Sequence, residues 1–337
     1  MTTTLSPLAT NPIHAALAQF PLLILDGALA TELERRGCDL NDALWSARVL
    51  LEAPELIRAV HTDYFAAGAD VATTASYQAS YQGFARRGLS AEQATACLQL
   101  SVQLAREARD AFWAAHPEQH GLRPRPLVAA SVGPFGAMRA DGSEYVGHYG
   151  VDSTTLKDFH RPRLAALLAA QPDVLACETL PCQQEALALA ELLADEFPQA
   201  RAWISFSCRD GAHTCQGERL ADAVAALANY AQVTAVGVNC TAPGFIPDLI
   251  AAAQAASDKP VLVYPNAGES YDPVHKCWHG CADPQAFAEA ARQWQAQGAQ
   301  LIGGCCRTTP ADIQALAAWA RPGWHETHAV MNGPEAQ

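Results

Sequence analysis

Long apolar runs are missing from this 337-residue sequence: no window offers the ~18 uninterrupted apolar residues that a membrane-spanning helix needs, so no membrane partner is expected. The first twenty residues also lack a basic start followed by an apolar stretch and a small-residue cleavage site; Pro7, Asn11, Pro12 and His14 interrupt them instead. They read as a short N-terminal leader (1–20) packed on the domain. Positive charge is scarce as well. With 22 basic against 35 acidic residues the formal net charge is −13, a balance that repels phosphates and argues against a nucleic-acid partner. Only 17% of residues are charged and 50% are hydrophobic, which excludes a disordered chain and provides for a sizeable core. No low-complexity segment or composition break marks a linker, so one domain is expected, over 21–322, with a C-terminal tail at 323–337.

What is present is a repeating alternation. Short β-branched or apolar runs at 22–25, 71–75, 127–131, 174–177, 202–206, 235–239, 261–264 and 300–303 alternate with longer Ala-, Leu-, Glu- and Gln-rich stretches of helical period. Helices are expected near 54–67, 91–115, 155–170, 183–197, 220–230, 246–256, 285–297 and 311–320. Asp283-Pro284 and Thr309-Pro310 supply start signals, because the first residue can cap and the proline fits the first turn. Eight strand–helix units with nearly continuous apolar strands predict an α/β fold, a parallel sheet closed as a (β/α)8 TIM-like barrel. A doubly wound open sheet is the competing arrangement.

Polar residues gather just past the strands: Asp26-Gly27, Thr73-Thr74, Ser131, Glu178-Thr179, Ser207-Cys208, Asn239-Cys240, Asn266 and Cys305-Cys306. In a barrel these positions share the carboxyl-end rim, where catalytic groups are assembled.

Eleven cysteines, an odd number without a secretion signal, fit reduced thiols in the cytoplasm better than a disulfide framework. Neighbours in Gly303-Gly304-Cys305-Cys306 close on each other only through a strained ring, whereas two thiolates can share one soft cation. Cys240 follows the sixth strand as that pair follows the eighth and brings a third sulfur to the same rim. Three thiolates with one open position match a catalytic zinc site, into which a substrate thiol can enter and lose its proton. A lone Cys97, Cys177 or Cys208 reads instead as a small core hydrophobe. Cys277 and Cys281 frame Trp278 and His279 without a second pair at finger-like spacing, so they read as loop residues. Asp26 and Glu178 can meet a cationic group or serve as helix caps or rim ion pairs. Tyr77, Phe135, Tyr145, Tyr271 and Trp278 can offer aromatic faces to a cation, or simply pack. The same cysteines leave open a non-enzymatic zinc or thiol sensor, while a zinc hydrolase would prefer His and carboxylate ligands.

The ordered motifs Leu25-Asp26-Gly27-Ala28-Leu29-Ala30-Thr31, Thr73-Thr74-Ala75-Ser76-Tyr77-Gln78, Ser131-Val132-Gly133-Pro134-Phe135-Gly136, Glu178-Thr179-Leu180-Pro181, Gly237-Val238-Asn239-Cys240, Tyr264-Pro265-Asn266-Ala267-Gly268 and Gly303-Gly304-Cys305-Cys306-Arg307-Thr308-Thr309-Pro310 resemble the homocysteine S-methyltransferase family over nearly the whole chain. The resemblance implies a barrel and one zinc ion per chain on Cys240, Cys305 and Cys306. It implies Asp26 and Glu178 on the homocysteine amino group, and backbone amides near Gly27 and Ala28 with the Thr73 region on its carboxylate. Asn239 would steady the zinc loop and Tyr77 would belong to the substrate pocket. It further implies small-molecule substrates, homocysteine and a sulfonium donor. The length and the Arg307-Thr308-Thr309-Pro310 continuation favour the S-methylmethionine branch, with S-adenosylmethionine second and betaine, or another thiol or selenol acceptor, as alternatives.

Overall fold

The computed structural model describes residues 11–40, 45–268, 270–272, 277–279, 283–321 and 324. Eight strands form one parallel sheet: β1 (Leu23–Ile24), β2 (Val71–Thr73), β3 (Leu127–Val132), β4 (Val174–Leu180), β5 (Ala202–Phe206), β6 (Val233–Asn239), β7 (Val261–Tyr264) and, after a short antiparallel hairpin of β8 (Ser270–Asp272) and β9 (Cys277–His279), β10 (Ala299–Ile302). Their spatial order is β1-β10-β7-β6-β5-β4-β3-β2. The two ends of that order meet, through a parallel bridge between Leu25 and Val71, with Asp26 N donating to Val71 O at 3.0 Å and Asp70 N to Ile24 O at 2.6 Å. The ring is closed, as a (β/α)8 barrel requires, and the open doubly wound alternative fails because β1 bonds on both sides.

Burial explains the strands. β4, β5, β6 and β7 are buried along their whole length, between the barrel interior and the helical layer, and so consist of near-continuous apolar residues. The helices outside are set by local signals. Ser90 and Gln93 form a reciprocal capping box for Ala91–Ala115, Thr309 and Asp312 another for Pro310–Ala320, and the Asp152 carboxylate accepts from Thr155 N to start Ser153–Ala169. Pro54–Ala67 stops at Gly68, whose φ of 114° excludes a side chain sterically.

Inside the ring, Leu23, Leu25, Val71, Ala129, Ala176, Trp203, Ala235, Leu262 and Leu301 pack as one cluster. Ile13 and Ala16, from the short helix Pro12–Leu17, join that cluster from the end where the strands begin and close the barrel floor. That helix starts on Asn11, whose side chain accepts from Ile13 N and His14 N. At the same end the fully buried Asp70 accepts from Ile24 N and pairs with Arg123 and Arg321, so the last helix is fastened to the entry of β2. The floor is sealed and the opposite rim is left for chemistry.

Several expectations need adjustment. β4 runs to Leu180 rather than stopping at residue 177, because Glu178 and Thr179 find hydrogen-bond partners and stay buried within the strand. The helices Leu29–Arg35, Trp45–Glu52, Tyr81–Arg86 and Phe135–Arg139 are additional, each too short to show a helical period. Cys277, Tyr271 and Trp278 stand in the β8/β9 hairpin rather than in loops, and Cys281 lies outside the described residues, as do residues 1–10 of the leader and 325–337 of the tail. Among the described residues no helix is long and apolar enough to cross a membrane.

Candidate active site at the carboxyl-end rim

The strand ends open onto one cavity of about 340 Å³, within the size range of small-molecule sites. It is lined by Gly27, Thr73, Tyr77, Ser131, Glu178, Cys240, Cys305 and Cys306 among others. Thr179 (φ 61°), Cys240 (φ 47°) and Arg307 (φ 70°) are non-glycine residues in the left-handed region, and all line this cavity. Such conformations are costly and persist where surrounding contacts enforce them, as they do at functional sites.

Three sulfur atoms meet here. Those of Cys240, Cys305 and Cys306 lie within 4.8 Å of one another. Cys240 and Cys305 are joined as a disulfide, with Cα atoms 5.5 Å apart, and Cys306 Sγ is 3.8 Å from Cys240 Sγ. The adjacent pair is not bonded to itself. Two sulfurs each ~2.3 Å from a tetrahedral ion stand about 3.8 Å apart, which is the separation of Cys240 and Cys306, and the trio, once reduced, has the donor chemistry of a soft divalent site. The backbone holds it in register: Cys305 N donates to Pro265 O at 2.8 Å, Ala267 N to Cys306 O at 3.0 Å and Gly304 N to Asp26 O at 3.0 Å. A Cβ on Gly303 would come within 2.5 Å of Leu25 Cβ, and one on Gly304 would collide with Thr308 Oγ1. The two glycines are there because β1 and the Thr308 turn press against this loop.

Asn239, fully buried at the end of β6, braces the same loop. Its amide oxygen accepts from Thr179 N at 2.7 Å and Ser205 Oγ at 2.8 Å, and its nitrogen donates to Thr179 Oγ1 at 2.7 Å and toward Cys305 Sγ at 3.9 Å.

The two carboxylates form the other pole. Glu178 accepts from Ser131 Oγ and from Tyr264 Oη, the latter at 3.0 Å; burial raises its carboxyl to about 6 against those two hydrogen bonds. Asp26 is raised further, to about 8, chiefly by burial and partly by repulsion from Glu178, while the hydrogen bonds from Thr73 oppose the shift. Its Oδ2 accepts from Thr73 N and its Oδ1 from Thr73 Oγ1, both at 2.8 Å. A pair of desolvated acids with no cation paired to either among the described residues is an arrangement that gains stability from an incoming ammonium.

This geometry revises the expected carboxylate receptor. Thr73 commits both its donors to Asp26, and Ala28 N is engaged by Thr308 O at 3.2 Å. The Gly27 amide is left, at the mouth of the cavity.

Tyr77 lines the cavity where expected, and Gly133 lies under its ring: a Cβ there would sit 2.8 Å from Cδ2 and Cε2 of Tyr77. Arg163, fully buried on Ser153–Ala169, donates to Gly133 O at 3.0 Å and Tyr77 O at 3.1 Å, fastening both loops. Phe135 is turned instead toward Tyr149 and Phe159, and the side chains of Tyr271 and Trp278 lie outside what the structure describes. Cys97, Cys177 and Cys208 are buried in the outer core.

Sequence reasoning missed Tyr264 and Ser205 as partners of Glu178 and Asn239, and Arg163 as a clamp. A polar residue at an inward-facing position of a buried strand was the available signal for the first two: Trp203 and Ser205 alternate inward on β5, and Tyr264 closes β7.

A family model described as homocysteine S-methyltransferase matches residues 23–320. Homocysteine S-methyltransferase YbgG of Bacillus subtilis is 55% identical over 311 residues, covering 92% of this chain and 98% of that protein. Among solved structures, the metallated form of the homocysteine methyltransferase MmuM from Escherichia coli matches with a TM-score of 0.83 at 51% identity, over 92% of this chain and 100% of that one. The oxidized form of the same enzyme matches with a TM-score of 0.84, also at 51% identity, over 92% and 99%. Matched in sequence across its barrel and in structure to enzymes of this kind, the chain belongs to the homocysteine S-methyltransferase family.

Proposed function

We propose that this protein transfers a methyl group from a sulfonium donor, S-methylmethionine in the first place and S-adenosylmethionine in the second, to homocysteine, giving methionine. The observation that carries the reading is the juxtaposition of three cysteine sulfurs with a pair of uncompensated buried carboxylates in one cavity. One pole suits a thiol and the other an ammonium, the two ends of homocysteine.

Cys240, Cys305 and Cys306, as free thiolates, would hold one zinc ion per chain; bound there, zinc would acidify the substrate thiol at neutral pH. A reducing cytoplasm is the compartment consistent with that state of the three cysteines. Glu178 and Asp26 receive the substrate ammonium, with Ser131, Tyr264 and Thr73 fixing the carboxylate rotamers. The Gly27 amide receives the substrate carboxylate. Asn239 keeps Cys305 from drifting as the substrate enters. The homocysteine sulfur then displaces the neutral thioether from the donor methyl: one C–S bond forms, one breaks, and the bonding pair leaves with the departing sulfur. No protein acid is required, since that leaving group carries no negative charge. The chain's own contribution is positioning, worth several orders of magnitude when the reacting atoms are held aligned. The barrel unit that does this spans 21–322 in our reading.

The test is methionine formation from homocysteine by the reduced, zinc-loaded protein, with S-methylmethionine, S-adenosylmethionine and betaine in competition. Turnover abolished by a chelator and restored by zinc supports the reading. Unchanged turnover of fully metal-depleted protein refutes it, and zinc release on oxidation without methyl transfer to any thiol would point to a sensor instead.

A further inference from the structure

The reaction brings two cationic centres into one cavity, the ammonium of the acceptor and the sulfonium of the donor, and the Glu178–Asp26 pole accounts for one. Resting on the reading above, we propose that Glu144, which lines the cavity together with Tyr77 and Tyr145, is the counter-charge that recognises the sulfonium of the methyl donor.

Four observations support it. Glu144 and Tyr145 lie on a short turn, Ser143–Tyr145, and both line the same cavity as the cysteines. Glu144 Oε2 is buried without a hydrogen-bond partner, an unusual state for a carboxylate oxygen. The charged neighbour that perturbs this carboxyl is another acid, Asp141, so among the described residues no lysine or arginine is paired with it. Burial accordingly pushes its carboxyl upward, as for a group whose partner has yet to arrive.

Placement fits the chemistry. The buried Tyr77 hydroxyl is close enough to be influenced by both Glu144 and Glu178, and all three residues line the one cavity. The Tyr145 phenol lies against the Cys306 thiol while 45% of that residue's surface stays exposed, so the roof of the site borders both solvent and the sulfur cluster. A sulfonium between these rings meets two aromatic faces and a desolvated carboxylate, interactions that a neutral thioether does not share. Methyl transfer converts one into the other. The same device that binds the donor therefore releases its product.

The turn is held from outside the cavity. Ser207 Oγ donates to Glu144 O at 3.4 Å, His148 N donates to Gln216 Oε1 at 2.7 Å, and a Cβ on Gly136 would come within 2.5 Å of Glu144 N. The Ser207 and Gly136 contacts use the Glu144 main chain and leave its carboxylate to the cavity.

Glu144→Gln keeps size and removes charge; Glu144→Asp keeps charge and shortens reach. With zinc-loaded protein, calorimetric titration compares S-methylmethionine with methionine, and steady-state assays give KM for donor and acceptor separately. Expected are a roughly tenfold loss of the sulfonium-over-thioether preference and a comparable rise in donor KM for Glu144→Gln, partial retention of both for Glu144→Asp, and homocysteine KM and zinc content as in the wild type. A donor KM and preference unchanged in Glu144→Gln, or changed equally in homocysteine KM, overturns the assignment while methyl transfer stands. A wild type that turns over no sulfonium donor removes the function and the assignment together.

Discussion

The Tyr264 hydroxyl donates to Glu178 Oε2 at 3.0 Å, joining the last residue of β7 to the carboxylate of β4 across 86 positions of sequence. That hydroxyl also touches Ser205 Oγ at 2.7 Å and accepts from Trp203 Nε1 at 3.1 Å, so the acid is aimed by a chain of groups that ends at Asn239 beside the cysteine loop. Tyr264→Phe removes the donor without changing the ring. We expect a loss of about 1.5–3 kcal/mol in stability or in homocysteine binding, seen as a lower melting temperature together with a homocysteine KM raised roughly tenfold. A donor KM that shifts as much as the acceptor KM would contradict this division of the site.

Asp26 holds its proton to about 8 when folded, against 3.8 for the exposed side chain. The folded, substrate-free protein therefore binds the extra proton between those limits, and its stability falls as pH rises through that window. Asp26→Asn should remove the slope: equal melting temperatures near pH 4, a higher one than wild type at pH 8, and loss of homocysteine binding. If the variant melts lower at pH 8, the carboxyl is not the strained group described.

His61 gives the opposite sign. It is fully buried on Pro54–Ala67 with neither ring nitrogen hydrogen-bonded, and burial lowers its pKa from 6.5 to about 4. The unfolded chain takes the proton first as pH falls below 6.5, so stability is lost down to about pH 4, by about 3 kcal/mol in all. His61→Leu should flatten melting temperature against pH over that range by comparison with the wild type.

How much of this was legible in the sequence depends on the range of the signal. Strands were legible as short, nearly continuous apolar runs because both their faces are buried, and long helices because one buried face writes a period into ten or more neighbouring residues. The thiol trio was legible because Gly303, Gly304, Cys305 and Cys306 are adjacent and Cys240 directly follows a strand. Tyr264 to Glu178, Arg163 to Tyr77 and Glu144 to the cavity are contacts between distant positions, each carried by one side chain, and no local pattern encodes them. The hydrogen bond from the Ala28 amide to Thr308 joins distant positions in the same way.

The Arg163 guanidinium ties the Tyr77 and Gly133 loops together, and burial lowers its pKa to about 10. Arg163→Met should cost about 3–5 kcal/mol by stranding two carbonyls and loosening both loops. Circular dichroism melts report the first effect. A fall in kcat larger than the change in homocysteine KM reports the second.

Cys306→Ser should lower zinc content from near one per chain to a small fraction of it and remove methyl transfer in parallel, with far-ultraviolet dichroism unchanged. Metal analysis beside activity separates a ligand from a residue needed only for folding: stability lost with zinc retained would take Cys306 out of the metal set.

Residues 12–17 and Arg321 both lie at the face where the strands begin, the one packed under the barrel and the other bound to Asp70. Among the described residues, the barrel is thus entered and left on the side away from the cysteine cavity. A support or a second catalyst attached to exposed positions on that face would leave the mouth of the cavity open to incoming substrates.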